Sequence, residues 1–264
     1  MNSITSTTRR KSTARGLKTL TSMAGALAML FAAPAYADTI TFENVTAVGY
    51  AAGESFMDSG FAVTMLDGPF GGGNGALMTG ASCAVAACPG GATGKFLGIL
   101  NDGGVNFALA GSSPLGFKVA GLDYAFLAAV GNLPNFNYGR LQLSGVLADG
   151  NIVNASYDFP GQNGTGAYMF GAANLGSNFT DGLFRSLSIN ACIFEEQDPT
   201  VCSNSVDNPA FYQAQFALDN IQLIAVVPEP VSILLLGVGA GAMALSRRRT
   251  IKPVPSNNLQ AQGN

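Results

Sequence analysis

The 264-residue chain contains no histidine and no tryptophan. Without histidine, neither a Ser-His-Asp triad nor a His-ligated metal can be built. Without tryptophan, the favoured platform for stacking a sugar ring is missing, and that task falls to Phe and Tyr. Basic residues are almost as scarce where they would matter. Of the 13 Lys and Arg, five lie before residue 19 and four after residue 246. Only Lys95, Lys118, Arg140 and Arg185 remain in residues 38–226, against 15 of the 16 acidic residues, a net charge of −11 for that stretch. A body so short of cations cannot neutralise phosphates, so nucleic acid is excluded as a partner.

Strong helix formers are also thin between residues 38 and 226, whereas Gly, Asn, Ser, Thr and aromatics are abundant. The stretch is about 190 residues, enough for one domain with a real core. Alternation predicts strands at 39–45, 140–146 and 183–189, and the residues at 61–66, 95–100, 105–109, 152–159 and 214–224 also read as strands. Residues 115–119 and 122–127 read as two further strands split at Ala120-Gly121. Turns are expected at Asn101-Asp102-Gly103-Gly104 and at Ala148-Asp149-Gly150-Asn151, each joining its flanking strands as a hairpin. The glycine-rich run 68–75 reads as loop throughout. It lacks the Gly-Lys-Ser/Thr ending of a phosphate-binding loop and opens no helix. The expected fold is all-β, an antiparallel β-sandwich of the jelly-roll type, with its first and closing strands side by side.

The two ends have a different character. Residues 1–37 carry Arg9, Arg10, Lys11, Arg15 and Lys18, then an apolar stretch 20–33, Pro34, and the small-residue triplet Ala35-Tyr36-Ala37. This is the layout of a secretory signal peptide cleaved after Ala37. Lys11-Ser12-Thr13 follows the arginine pair in place of apolar residues, which favours the general secretory translocon over a twin-arginine route. At the other end, Pro228-Glu229-Pro230 precedes an uncharged stretch at 231–245, which Arg247-Arg248-Arg249 closes. Fifteen helical residues cover about 22 Å, short of the ~30 Å hydrocarbon core. That makes a marginal transmembrane helix, with the arginines on the cytoplasmic side. The prolines keep the preceding box out of regular structure, where a protease can reach it.

This order of box, short apolar helix and basic stop resembles the PEP-CTERM sorting signal of exported bacterial proteins. The resemblance implies an exosortase substrate. Pro228, Glu229 and Pro230 would be recognised, Arg247, Arg248 and Arg249 would stop transfer, and the inner membrane would hold the precursor transiently. Translocon, signal peptidase and exosortase would then be partners, and the destination the cell surface or an exopolysaccharide matrix. The domain plan is signal peptide 1–37, β-domain 38–226, sorting signal 227–249 and cytoplasmic tail 250–264. The tail departs from the family, whose tags usually end soon after the basic cluster.

Four cysteines in an exported chain imply disulfides, and spacing suggests Cys83–Cys88 and Cys192–Cys202 among three possible pairings. Each small loop would contribute about 2–3 kcal/mol. Phe216-Ala217-Leu218-Asp219-Asn220-Ile221 resembles the closing strand of jelly-roll carbohydrate-binding domains. That resemblance implies a structural calcium held by Glu43 and Asp219, with a carbonyl from Asn44 or Asn220; the alternative is that Asp219-Asn220 marks a bulge. Phe136, Tyr138, Tyr157 and Tyr168 lie in or near polar loops, as glycan-stacking residues do, or they pack the rim of the core. Glu195, Glu196 and Asp198 are the best candidates for paired catalytic carboxylates, but fall in the second disulfide loop, where adjacent acids are usually just solvated. The overall expectation is a non-enzymatic exported surface or matrix protein, with a calcium-stabilised carbohydrate-binding module as the alternative. Replacing Pro228, Glu229 and Pro230 with alanine should leave full-length protein in the inner membrane by fractionation and blotting; unchanged release of a shortened body would refute the sorting role.

Overall fold

The computed structural model describes residues 37–226 except 70, 84–86, 112–114, 130, 196–197, 199 and 204–213, together with Gly237. A compact unit spans Ala35–Pro228. Its strands are β1 Ala37–Ile40, β2 Gly49–Ala51, β3 Ser55–Asp58, β4 Phe61–Leu66, β5 Asn74–Thr79, β6 Lys95–Leu100, β7 Gly104–Leu109, β8 Phe117–Phe126, β9 Gly139–Leu147, β10 Ile152–Asp158, β11 Gly171–Ala172, β12 Phe184–Phe194, β13 Cys202–Ser203 and β14 Phe216–Ala225. One helical turn, α1 Ser177–Thr180, precedes β12.

All pairings between these strands are antiparallel. One array runs β3-β4-β7-β12-β9-β10, and the other β2-β5-β6-β14-β8-β11. A single pairing, Phe184 of β12 with Phe117 of β8, links them. The first half of β14 lies between β6 and β8, and its second half between β1 and β8. First and closing strands are therefore neighbours, Ala37 opposite Ile224 and Ile40 opposite Ile221.

The period-2 pattern explains which face turns inward. Phe61, Val63 and Met65 of β4 are buried while Ala62, Thr64 and Leu66 are only half-buried. In β10 every second residue is exposed, and Val153, Ala155 and Tyr157 pack against the core. Phenylalanine supplies the bulk: Phe42, Phe61, Phe96, Phe107, Phe117, Phe179, Phe184 and Phe216 are all fully buried. The Phe184 ring needs space from β9, and Gly145 provides it, since a Cβ there would overlap the ring.

Four local expectations give way. The first strand stops at Ile40, because Phe42 takes a left-handed conformation (φ 61°) and donates its N–H to Asp58 Oδ2 at 3.0 Å. Asn101-Asp102-Gly103-Gly104 does not close a hairpin. β6 pairs with β5 and β14, whereas β7 pairs with β4 and β12, so the turn crosses between arrays. Asp102 fixes that crossing by exchanging bonds with Ala214: its Oδ1 accepts the Ala214 N–H at 2.6 Å and its own N–H reaches the Ala214 carbonyl at 3.2 Å. Ala120-Gly121 does not end β8: two compensating register shifts, an extra residue on β14 between Asp219 and Gln222 and Ala120 as an extra residue on β8, restore the original register by Leu223 and Val119. The glycine-rich run ends early, and Gly75 sits inside β5, where a Cβ would strike the Met65 sulfur.

Because Phe184 is fully buried and carries the strand pairing between the arrays, Phe184→Ala should lower stability by about 3–5 kcal/mol. Urea unfolding followed by tyrosine fluorescence measures it; a loss under 1 kcal/mol would mean the arrays are held elsewhere.

Candidate functional site

A continuous run of aromatic rings crosses the fold from β10 to a surface loop. Tyr157 lies 6.2 Å from Tyr124, Tyr124 lies 6.2 Å from Phe159, and Phe159 lies 5.4 Å from Phe126. Phe126 meets Tyr168 edge-on at 5.0 Å and stacks on Tyr138 at 5.6 Å. Tyr138 meets Phe136 edge-on at 5.4 Å. Such geometries add to what area burial alone contributes. The run ends in water, for Phe136 is 51% exposed.

Two loops hold this end together. The Tyr138 and Tyr168 hydroxyls both donate to the Pro134 carbonyl, at 3.2 and 3.4 Å. Gln162 donates its backbone N–H to Asn135 Oδ1 at 3.2 Å and its side-chain amide to the Leu133 carbonyl at 2.9 Å. Asn163 Oδ1 accepts from Thr165 and from the Ala167 N–H, which closes the second loop. Asn137 Oδ1 caps the Gly139 N–H at 3.2 Å. Asn135 and Asn137 thus spend their oxygens internally, and their Nδ2 donors have no partner among the described residues. Burial, with the neighbouring Asp158 and Tyr157 behind it, pushes Tyr124 up to about 12. Burial likewise pushes Tyr168 up to about 12. Tyr124 and Tyr168 therefore stay protonated at any working pH, and the loops set apolar ring faces beside amide and hydroxyl groups.

The four aromatics picked from sequence are therefore brought into one assembly. Sequence reasoning missed Tyr124, Phe126 and Phe159 as the links between them, although Leu122, Tyr124 and Phe126 recur at every second position. It also missed Pro134 and Gln162, whose importance is purely three-dimensional.

The other candidate pole lies where β1 meets β14. Glu43 Oε1 accepts the Lys95 N–H at 2.8 Å, and the Lys95 ammonium donates to the Glu43 and Val45 carbonyls, each at 2.9 Å. Asp219 is 4% exposed and faces Asp123 directly across the ladder. Burial raises the Asp219 carboxyl above its ordinary value, the Asn220 N–H lowers it, and the charges of Asp123 and Glu43 raise it further. Asn220 sits at the β14 irregularity with φ 47° and donates its side-chain amide to Asp123 Oδ2 at 2.9 Å. Glu43 and Asp219 thus feel one another, with Asp123 as an unforeseen third acid. Among the described residues no three His, Cys, Asp or Glu side chains converge closely enough to hold a metal ion.

The disulfides join Cys83 to Cys88 and Cys192 to Cys202, with Cα atoms 5.6 and 5.5 Å apart. In the second loop Asp198 binds the hydroxyl and N–H of Thr200, which hold its carboxyl below the ordinary range. A general acid needs the opposite shift. Glu195 donates its backbone N–H to the Val201 carbonyl, and Glu196 lies outside the described residues.

Ala37 opens β1, and the Val226 N–H donates to the Gly116 carbonyl at 2.9 Å just beyond β14. Ala35, Pro228, Glu229, Pro230, Arg247, Arg248 and Arg249 lie outside the described residues, as do nearly all of 1–37 and 227–264. Among the described residues no helix is long and apolar enough to cross a membrane.

No family model and no curated protein matches the chain. Among solved structures it is similar to the tandem CBM22-1-CBM22-2 domain of Paenibacillus barcinonensis Xyn10C, with 11% identity and a TM-score of 0.31 over 75% of this chain and 49% of that one. It spans only about half of that tandem. The C-terminal family 22 carbohydrate-binding module of Clostridium thermocellum Xyn10B matches at 13% identity and a TM-score of 0.33, over 74% of this chain and 96% of that one. A cyclase from Fischerella sp. TAU matches equally well, at 13% identity and a TM-score of 0.33, over 71% and 96%. Likeness of this size assigns neither ligand nor activity.

A carboxyl raised by folding costs stability once it ionises, and the cost disappears below its unfolded value, near 3.8. Asp219→Asn keeps the acceptor for Asn220 and removes the charge. It should raise the melting temperature at pH 7, with the gain shrinking to nothing below about pH 4. A variant less stable than the parent at pH 7 would show that the ionised group is favourably partnered.

Proposed function

We propose that residues 38–226 form a jelly-roll-like β-sandwich that binds carbohydrate, within an exported protein that has no catalytic role. The observation that carries this reading is the aromatic run that surfaces at Phe136. A half-exposed ring, rigidly backed by Tyr138 and Tyr168 and flanked by amide donors of Asn135 and Asn137 that have no partner among the described residues, is what stacking and hydrogen-bonding a sugar requires. Rings already locked by the Pro134 carbonyl lose little freedom on binding.

On this reading the signal peptide directs the chain through the translocon, and signal peptidase cuts after Ala37. The cut precedes docking of β1, because the pairing of Ala37 with Ile224 and Asp38 with Leu223 would deny a peptidase the extended backbone around the bond. The Pro228-Glu229-Pro230 box and its short apolar helix then hold the chain in the inner membrane until exosortase releases it to the cell surface or an exopolysaccharide matrix. The resemblance of the box and basic stop to the PEP-CTERM signal supports that route. The proposal includes a structural calcium at Glu43 and Asp219, whose charges act on one another; with no third carboxylate converging among the described residues, main-chain carbonyls and water would have to complete its shell. Calcium there would offset the cost of ionising Asp219, so the same pH series repeated with calcium reports it.

Affinity electrophoresis of the full-length chain through gels containing soluble polysaccharides tests the binding reading. Phe136→Ala should weaken retardation by about tenfold or more, a difference of about 1.4 kcal/mol, and leave the melting temperature unchanged. Retardation equal to that of the parent would remove the site from consideration.

A further inference from the structure

We infer that the polymer taken by the Phe136 site is uncharged, and that polyanionic polysaccharides are turned away. This rests on the carbohydrate reading above and adds the class of ligand to it.

The body has four cations, and none is free at the site. The Lys95 ammonium is spent on the carbonyls of Glu43 and Val45. Arg140, two residues from Tyr138, is held by Asp158 at 3.0 Å and lies over the Phe194 ring at 4.8 Å. Lys118 pairs with Ile224 at the far end of β8, eight residues before Phe126. At the rise of an extended strand that is roughly 26 Å. Arg185 stands beside Phe184 at the start of β12, nine residues before Phe194, whose N–H meets the Tyr138 carbonyl. That separation is about 30 Å. Both distances exceed the Debye length of about 8 Å at physiological salt.

The site's own polar groups are equally neutral. Tyr138 and Tyr168 present hydroxyls, and Asn135, Asn137 and Gln162 present amides. Around them the body carries a net charge of −11. A polymer bearing carboxylates or sulfates would meet that field without a counter-charge at the point of contact. An uncharged chain meets only ring faces and amides, so its affinity should be indifferent to salt.

Polymers with matched backbones isolate charge from shape. Affinity electrophoresis of the full-length chain would compare hydroxyethylcellulose with carboxymethylcellulose, dextran with dextran sulfate, and agarose with carrageenan. At 10 mM salt the neutral member of a recognised pair should bind at least about tenfold more tightly. The gap should narrow at 1 M salt, where the Debye length falls from about 30 Å to about 3 Å. Phe136→Ala should lose the neutral interaction. If a charged member binds as well as its neutral twin at 10 mM salt and Phe136→Ala abolishes it, the site binds glycan but the charge inference is overturned. If no polymer is retarded in any gel, the carbohydrate reading falls and takes this inference with it.

Discussion

The pairing of β14 with β8 is the constraint on which the rest of the structure depends. β14 is held by β8 along its whole length and by β6 and then β1 on its other side. It therefore fixes the first and last strands of the domain together. Ala214, two residues before it, exchanges the bonds with Asp102 that route the chain from one array to the other. Its central irregularity sets Asp219 against Asp123. The far end of its partner β8 delivers Tyr124 and Phe126 to the aromatic run. Interactions so far apart in sequence, between residues near 120 and near 220, form only after the loop entropy between them has been lost, and they stabilise the fold as one cooperative unit.

A domain without tryptophan or histidine has a restricted chemical vocabulary, and the fold makes the most of phenylalanine and tyrosine. Phenylalanines fill the interior between the arrays. Tyrosines stand where the interior reaches water, their hydroxyls satisfied by main-chain carbonyls: Tyr124 on Asp158, Tyr138 and Tyr168 on Pro134. A surface of neutral rings and amides in an acidic body is suited to a ligand bound through shape and hydrogen bonds. In the disulfide loop the Asp198 carboxyl is shifted towards ionisation, and no imidazole exists anywhere in the chain.

Strands with clean alternation, such as β4, β9 and β10, could be read from the residues because a half-buried strand imposes that period. The hairpin at Ala148–Asn151 was equally readable, since its turn residues connect strands that do pair. The turn at Asn101-Asp102 carries similar residues yet serves a crossover, and its meaning rests on Ala214, more than a hundred positions away. The unbroken β8 was hidden for a related reason: Ala120 stays in the strand as an extra residue whose register shift is offset by one on β14 beside Asn220, about a hundred positions away. Phe42 gave no hint of its left-handed backbone, which Asp58 enforces. At the site, Phe136, Tyr138, Tyr157 and Tyr168 could be chosen by residue type and polar surroundings. Their grouping could not, because Phe126 and the Pro134 carbonyl create it.

Chemical-shift mapping of the isotopically labelled protein, titrated with an uncharged oligosaccharide, tests the central claim most directly. The account predicts perturbations concentrated at Asn135, Phe136, Asn137, Tyr138, Gln162 and Tyr168, with the pole around Glu43 and Asp219 unmoved. Saturating ligand with those signals unchanged, or perturbations gathered at Glu43 and Asp219 instead, would contradict it.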